Sequence, residues 1–455
     1  MVQIGFRPLP SLDLFVTGLQ VYGLPNNPTP FAAGLAKLGP ALQEIGMKLT
    51  TTAVALLLAA GGLAMTAPVV AQEKAAAAAP EPKVSKDASK ALQELQKAVN
   101  AKDTANIPAL VEAARAKVKT KDDRFLLAQF QLKAAVDAND NAGMIAGLQG
   151  VVDSGFLPAT QTAPHYMNLG KLHYNAKAHD AAAAAFEQVL KVDPNNLDAT
   201  VMLAESRNAQ GRAAEAVTLI QKAIAAKTAA GQKADESWYK RAAALAFKAK
   251  LPNTAQLSRD WLVAYPSAAA WRDTIRIYQT SGQVDDNAII DTMRLAQATG
   301  ALSGENDYYT FANKLVTKGF AGEAKLVLEQ GFAAKSIDKN RGTFSQLYNL
   351  ATTKSQGDQA TLDASAKTAL AAANARQAMV TAEAYYGYGD YAKAADLFRA
   401  ALGKEGVDKD VANLRLGMAL ARAGDKAGAE AALKAAGGAQ TEVAKLWLTY
   451  LGTKA

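Results

Sequence analysis

The stretch that decides the fold is residues 163–196, APHYMNLGKLHYNAKAHDAAAAAFEQVLKVDPNN. Its periodicity is helical on both sides of a break around His179, so it reads as two helices joined by a turn. Gly170 has no side chain, which lets the first helix approach the second closely at Ala182, while Leu169 and Phe186 fill the space between them. Pro194 cannot continue a helix; it stops the second one and sets the angle at which the next hairpin leaves.

Working outward, residues 197–230 keep Leu203, Ala204, Ala216, Ile220 and Ala223 at matching places, without the terminal proline. Residues 235–266 restore Trp238, Ala242, Leu245 and Pro266, but put Thr254 and Ser258 where a small residue and a Phe are expected, which predicts a slipped second helix. Residues 305–338 carry Tyr308, Phe311, Ala312, Leu315, Ala324 and Leu328. Ala382, Tyr385, Ala394, Phe398 and Ala401 follow in 375–409, and Leu416, Gly417, Leu420, Ala429, Leu433 and Ala436 in 410–443. The stretches 89–160, 267–301 and 341–373 have helix-pair lengths without the full pattern. Asp and Asn, often beside Gly or Pro, punctuate the helices, as at Asp122-Asp123, Asp140-Asn141 and Gly424-Asp425. No run of alternating β-branched residues interrupts this, so the expected class is all-α. The division is two clear units at 163–230, divergent pairs at 235–301 and 305–373, two further units at 375–438, and a closing helix at 439–455 whose Trp447 and Tyr450 cap an open end.

Tyr166, Leu169, Gly170, His173, Ala182, Phe186 and Pro194 resemble the tetratricopeptide pattern W-x2-L-G-x2-Y…A-x3-F…P, with Tyr166 in place of the Trp and His173 in place of the Tyr. The resemblance extends over most of residues 89–455. It implies a right-handed α-solenoid superhelix of roughly nine antiparallel hairpins, working as a scaffold for a protein or peptide held in a concave groove. On that template Met167, Lys171, Tyr174 and Glu205 line one part of the groove, and Met379, Glu383 and Tyr386 another. Tyrosines on rigid helices make good anchors for a partner. One subfamily grips chaperone tails with Lys and Asn side chains; here the corresponding positions hold Met167, Lys171 and Tyr174, then Val201, Glu205 and Asn208, which departs from that clamp.

Composition narrows the function further. Half of the 455 residues are apolar and 20% are charged, ample for a core. The formal charge is +8, but Lys and Arg alternate with Asp and Glu rather than clustering, so no nucleic-acid partner is expected. The absence of cysteine excludes disulfides, thiolate metal sites, iron–sulfur clusters and a Cys nucleophile. Of the three histidines, His165 and His173 are about 12 Å apart along a helix, too far to share an ion. His173 is expected in the core, with His165 and His179 exposed. Asp137, Asn139 and Asn141 open like a calcium loop, which then fails at Ala142 and Leu148. Ser336 and Lys339 have a Ser-x-x-Lys spacing without its companion motifs, and Gly387-Tyr388-Gly389 reads as a turn. No phosphate loop, H-E-x-x-H pair or nucleophile elbow occurs. The reading is a non-enzymatic protein with no cofactor, no metal site and no catalytic residue.

Compartment is read from the segment starting at Met47. Lys48, the apolar run 53–64, Pro68 and the small-residue site Val69-Val70-Ala71 have the layout of a secretory signal, with cleavage expected after Ala71. The alternative is an uncleaved inner-membrane anchor. Residues 1–46 are expected to be an over-extended start outside the fold, and 72–88 an Ala-, Pro- and Lys-rich linker. These features place the protein in the periplasm of a bacterial envelope, with a peptidoglycan- or carbohydrate-handling module of envelope assembly as the competing function.

Overall fold

The computed structural model describes residues 80–453 apart from Gln283. The start expected at 1–46, the signal at 47–71 and residues 72–79 of the linker lie outside the described residues, and the last part of the expected linker, from Lys86, is already helical. Among the described residues the chain forms 21 α-helices packed in consecutive hairpin pairs, with no β-strand. None of these helices is long and apolar enough to cross a membrane. The chain divides into two compact units between Ser237 and Trp238.

The first unit contains α1 (Lys86–Asn100), α2 (Ile107–Arg115), α3 (Lys121–Asp137), α4 (Asn141–Asp153), α5 (Ala159–Asn175), α6 (His179–Val192), α7 (Leu197–Ala209) and α8 (Ala213–Ala229). Successive helices pair as α1/α2, α3/α4, α5/α6 and α7/α8, so the irregular stretch 89–160 is two hairpins. The entry to α1 is tied down by charge. Backbone N–H groups of Lys83 and Ser85 donate to the carboxylates of Asp122 and Asp123 at 2.8 and 2.9 Å. Asp123 also closes a capping box with Thr120 at the start of α3. Burial alone would raise the Asp123 carboxyl, but these hydrogen bonds from Ser85 and Thr120 outweigh it and hold it below the usual carboxylate range. The trio that imitates a calcium loop is the α3–α4 turn, in which Asp140 caps α4 by accepting from the backbone of Ala142. Core packing proceeds in separate patches. Leu92, Leu95 and Val99 meet Leu126, Leu127 and Phe130; Phe125 stacks on Phe156; and Ala182, Ala183 and Phe186 meet Leu203.

The second unit contains α9 (Glu236–Lys248), which starts two residues before the division, α10 (Thr254–Ala264), α11 (Ala268–Thr280), α12 (Asp286–Ala298), α13 (Gly304–Lys318), α14 (Ala321–Ala333) and α15 (Gly342–Lys354). It continues with α16 (Asp358–Ala371), α17 (Ala375–Gly387), α18 (Tyr391–Ala401), α19 (Lys409–Ala423), α20 (Lys426–Ala435) and α21 (Thr441–Thr453). Gly424 ends α19 at φ 89°, a left-handed geometry that a side chain would strain. The slip expected in α10 does not occur. Thr254 and Ser258 are buried, and their hydroxyls donate to the carbonyls of Leu251 and Ala255 at 2.6 and 2.9 Å, so small polar residues serve where an aromatic was expected.

One core runs through this unit from Trp261 to Leu451. Its last element does more than cover an end: α21 packs on α20 and α19, and also on α10 and α12 far earlier in the chain. Trp447 of α21 is fully buried and donates its indole N–H to the carbonyl oxygen of Asp291 at 3.4 Å. Tyr450 sits edge-on to both Trp447 and Trp271. The second unit is thereby closed on itself by its own final helix.

Candidate functional site

In the first unit α5 and α7 carry four of the expected groove residues. Met167, Lys171 and Tyr174 follow one another at helical spacing and so share a face of α5. Lys171 is exposed; Met167, Tyr174 and Glu205 are half-buried. Met167 and Tyr174 rest against the patch formed by Ala182, Ala183, Phe186 and Leu203, and Tyr174 meets the His179 ring edge-on at 5.3 Å. The support beneath this face is tight. A Cβ added at Gly170 would lie 2.6 Å from the Phe186 ring, so the two helices touch as closely as the sequence predicts. Behind it Arg207 of α7 pairs with Glu187 of α6 and Glu215 of α8, fixing three helices together. The result is a row of partly accessible apolar, aromatic and charged side chains on a rigid base.

The histidines are arranged differently from expectation. His165 is the buried one, and His173 and His179 are half-buried rather than core and exposed respectively. Burial pushes both His165 and His173 below the usual imidazole range, which keeps them neutral near pH 7.

In the second unit the structure closes the face that the template opens. Met379 is half-buried against the core, but Glu383 is only 2% exposed and Tyr386 5%. They cannot line a groove in this packing, because α12, α14 and α19 meet α17 there. Glu383 belongs to a buried cluster with Asp291 and Arg294 of α12, Glu323 of α14 and Arg415 of α19. Arg294 donates to both oxygens of Glu323, at 2.8 and 2.6 Å, in a forked pair. Glu383 touches Arg294 at 2.7 Å and Arg415 at 2.5 Å. Asp291 lies 3.3 Å from Arg294 and 3.6 Å from Arg415. The guanidinium of Arg294 also stands 4.6 Å from the centre of the Tyr386 ring, whose hydroxyl is buried without a hydrogen-bond partner. Burial would raise Glu383, but Arg294 and Arg415 outweigh it and hold its carboxyl below the usual range. Burial likewise acts against Arg294, and Glu323 and Glu383 more than restore its charge.

Sequence reasoning did not single out Asp291, Arg294, Glu323 or Arg415. The available signal is that these charges fall among apolar neighbours, as in Ile290-Asp291-Thr292-Met293-Arg294-Leu295, where a solvated face would not place them. Nor is Gly387 merely part of a turn. A Cβ there would lie 2.7 Å from the Glu323 Cβ, so its lack of a side chain admits Glu323 to the cluster.

Residues 174–234 match the family model described as a tetratricopeptide repeat. The chain thus contains this repeat, and the match spans α6, α7 and α8 of the first unit. No curated protein matches the sequence. Among solved structures, one described as Naa15/Naa10 bound to HypK-THB is similar over 78% of this chain and 69% of the other, at 13% identity and a TM-score of 0.21. A superposition that loose carries no argument.

Proposed function

We propose that this repeat protein is a non-catalytic scaffold that holds a protein or peptide against the α5–α7 face of its first unit, in the bacterial cell envelope. The observation that carries the reading is the contrast in exposure: Met167, Lys171, Tyr174 and Glu205 keep accessible surface on a rigid base, whereas Glu383 and Tyr386 are buried. Tyr174 supplies apolar area with few rotatable bonds and Met167 an adaptable contact, while Lys171 and Glu205 select by charge. The export reading rests on the signal-like layout from Met47 to Ala71.

The test expresses the protein from Met47 in its host, with a photo-crosslinking residue placed at position 171 or, in a second variant, at 380, an exposed site on α17. A discrete protein adduct at 171 and none at 380 is the expected result. Equal adducts at both sites, or sedimentation of the protein with insoluble peptidoglycan, would replace the groove scaffold with a different surface or a glycan-handling role. The intact mass decides the compartment: a mature chain beginning at Gln72 supports export, and an uncleaved one the membrane-anchored alternative.

A further inference from the structure

Three carboxylates, Asp291, Glu323 and Glu383, share the interior of the second unit with two guanidiniums, Arg294 and Arg415. Fully ionised, they leave one negative charge without a counter-charge, and a buried group in that position takes up a proton instead. The contacts decide which one. Glu323 is forked by Arg294, and Glu383 touches both guanidiniums at 2.7 and 2.5 Å. By distance Asp291 makes the longest contacts with the two guanidiniums: Arg294 donates to it at 3.3 Å and Arg415 stands 3.6 Å away. The same residue's carbonyl oxygen receives the indole N–H of Trp447, so Asp291 joins the charge cluster to the closing helix α21.

We propose that Asp291 carries a proton in the closed second unit, neutralising the cluster, and that loss of this proton at higher pH loosens α21 from α12, making the pair a pH-sensitive latch.

Among the described residues, Arg415 and Arg294 are the cations that act on Asp291. On α11, Tyr278 stays neutral, its hydroxyl pushed up to about 12 by burial and then by Asp285, Glu442 and Asp291. On α13, Lys314 is engaged by Asp286, and on α21, Glu442 pairs with Arg259 and Lys445. Tyr386 of α17 adds a buried neutral hydroxyl. Burial therefore raises the Asp291 carboxyl above the usual range, against the pull of Arg415 and Arg294. A raised folded pKa gives stability that is complete below the unfolded value near ~4 and is lost as pH rises through the folded one. The lowered Glu383 works in the opposite sense, losing its contribution as pH falls. The two shifts together favour the closed second unit at intermediate pH, with Glu383 losing its contribution on the acid side and Asp291 on the basic side.

Hydrogen exchange in the full chain, read at the amides of residues 443–451 and corrected for intrinsic base catalysis, tests the latch. In the wild type, protection should fall about tenfold per pH unit between the unfolded aspartate value of ~4 and the folded pKa of Asp291, the slope for release of one proton, and level off above it. Asp291→Asn should be flat, and so should Glu383→Gln, which balances two carboxylates against two guanidiniums. Parallel declines in all three proteins, or a flat wild type, would overturn the proposal. An infrared band from a protonated carboxyl needs no variant. It should persist above the pH at which ordinary aspartates ionise and shift with carbon-13 aspartate labelling, and its absence would equally overturn the assignment.

Discussion

Met167, Lys171 and Tyr174 on α5 and Met379, Glu383 and Tyr386 on α17 occupy the same helical spacing in two units of the same chain. On α5 these side chains keep part of their surface, over a core patch built from neighbouring helices. On α17 two of the three are buried, because the second unit has a continuous core and helices from α10 to α21 return to one another. The same repeat positions thus present a face in one unit and build an interior in the other. What differs is whether later helices of the same unit come back to cover them.

The largest expected effect breaks that interior. Arg294→Ala leaves Glu323 and Glu383 buried with half their counter-charge and should cost about 3–5 kcal/mol. All four tryptophans lie in the second unit, so denaturant unfolding followed by tryptophan fluorescence should show the loss there. Far-ultraviolet circular dichroism should retain the first unit's transition unchanged. Coincident shifts by both probes would mean that the units do not melt separately.

Close helix contact is the feature that the units share. A Cβ at Gly170 would lie 2.6 Å from Phe186, and one at Gly417 would lie 2.5 Å from Leu433. Gly170→Ala and Gly417→Ala should therefore each destabilise by about 1–3 kcal/mol through overpacking. A much smaller loss at Gly170 than at Gly417 would show that the first unit's patches yield where the second unit's core does not.

The accessible face is sharpened by Tyr174→Ala, expected to weaken a bound partner by about 2 kcal/mol, or roughly thirtyfold in Kd. Calorimetric titration against the crosslinked partner measures it, and unchanged affinity would remove Tyr174 from the interface. The smallest effect belongs to Tyr386→Phe. It deletes a buried hydroxyl that has no hydrogen-bond partner, so stability should stay level or rise by up to about 1 kcal/mol. A clear loss in thermal unfolding would reveal a bonded hydroxyl and a different local packing.

The repeat positions were readable because each hairpin closes its own local contacts. Leu169, Ala182 and Phe186 are buried where spacing put them, and so are Phe311, Ala324 and Leu328. Even the unexpected Thr254 and Ser258 are buried, since each hydroxyl can bond to a carbonyl three residues earlier in the chain. The candidate face was readable only in part. Spacing puts Glu383 and Tyr386 on one side of α17, but it says nothing of what packs against that side.

The sequence by itself determined the helices, their pairing and the close crossings at Gly170 and Gly417, all of which depend on residues within one hairpin. Only the tertiary structure decided that α21 returns to α10 and α12, and that five charges from four helices meet in the interior. The physical reason is range. Helical periodicity and capping act over a few residues, whereas the Trp447–Asp291 bond joins groups 156 residues apart, whose meeting depends on every hairpin angle between them.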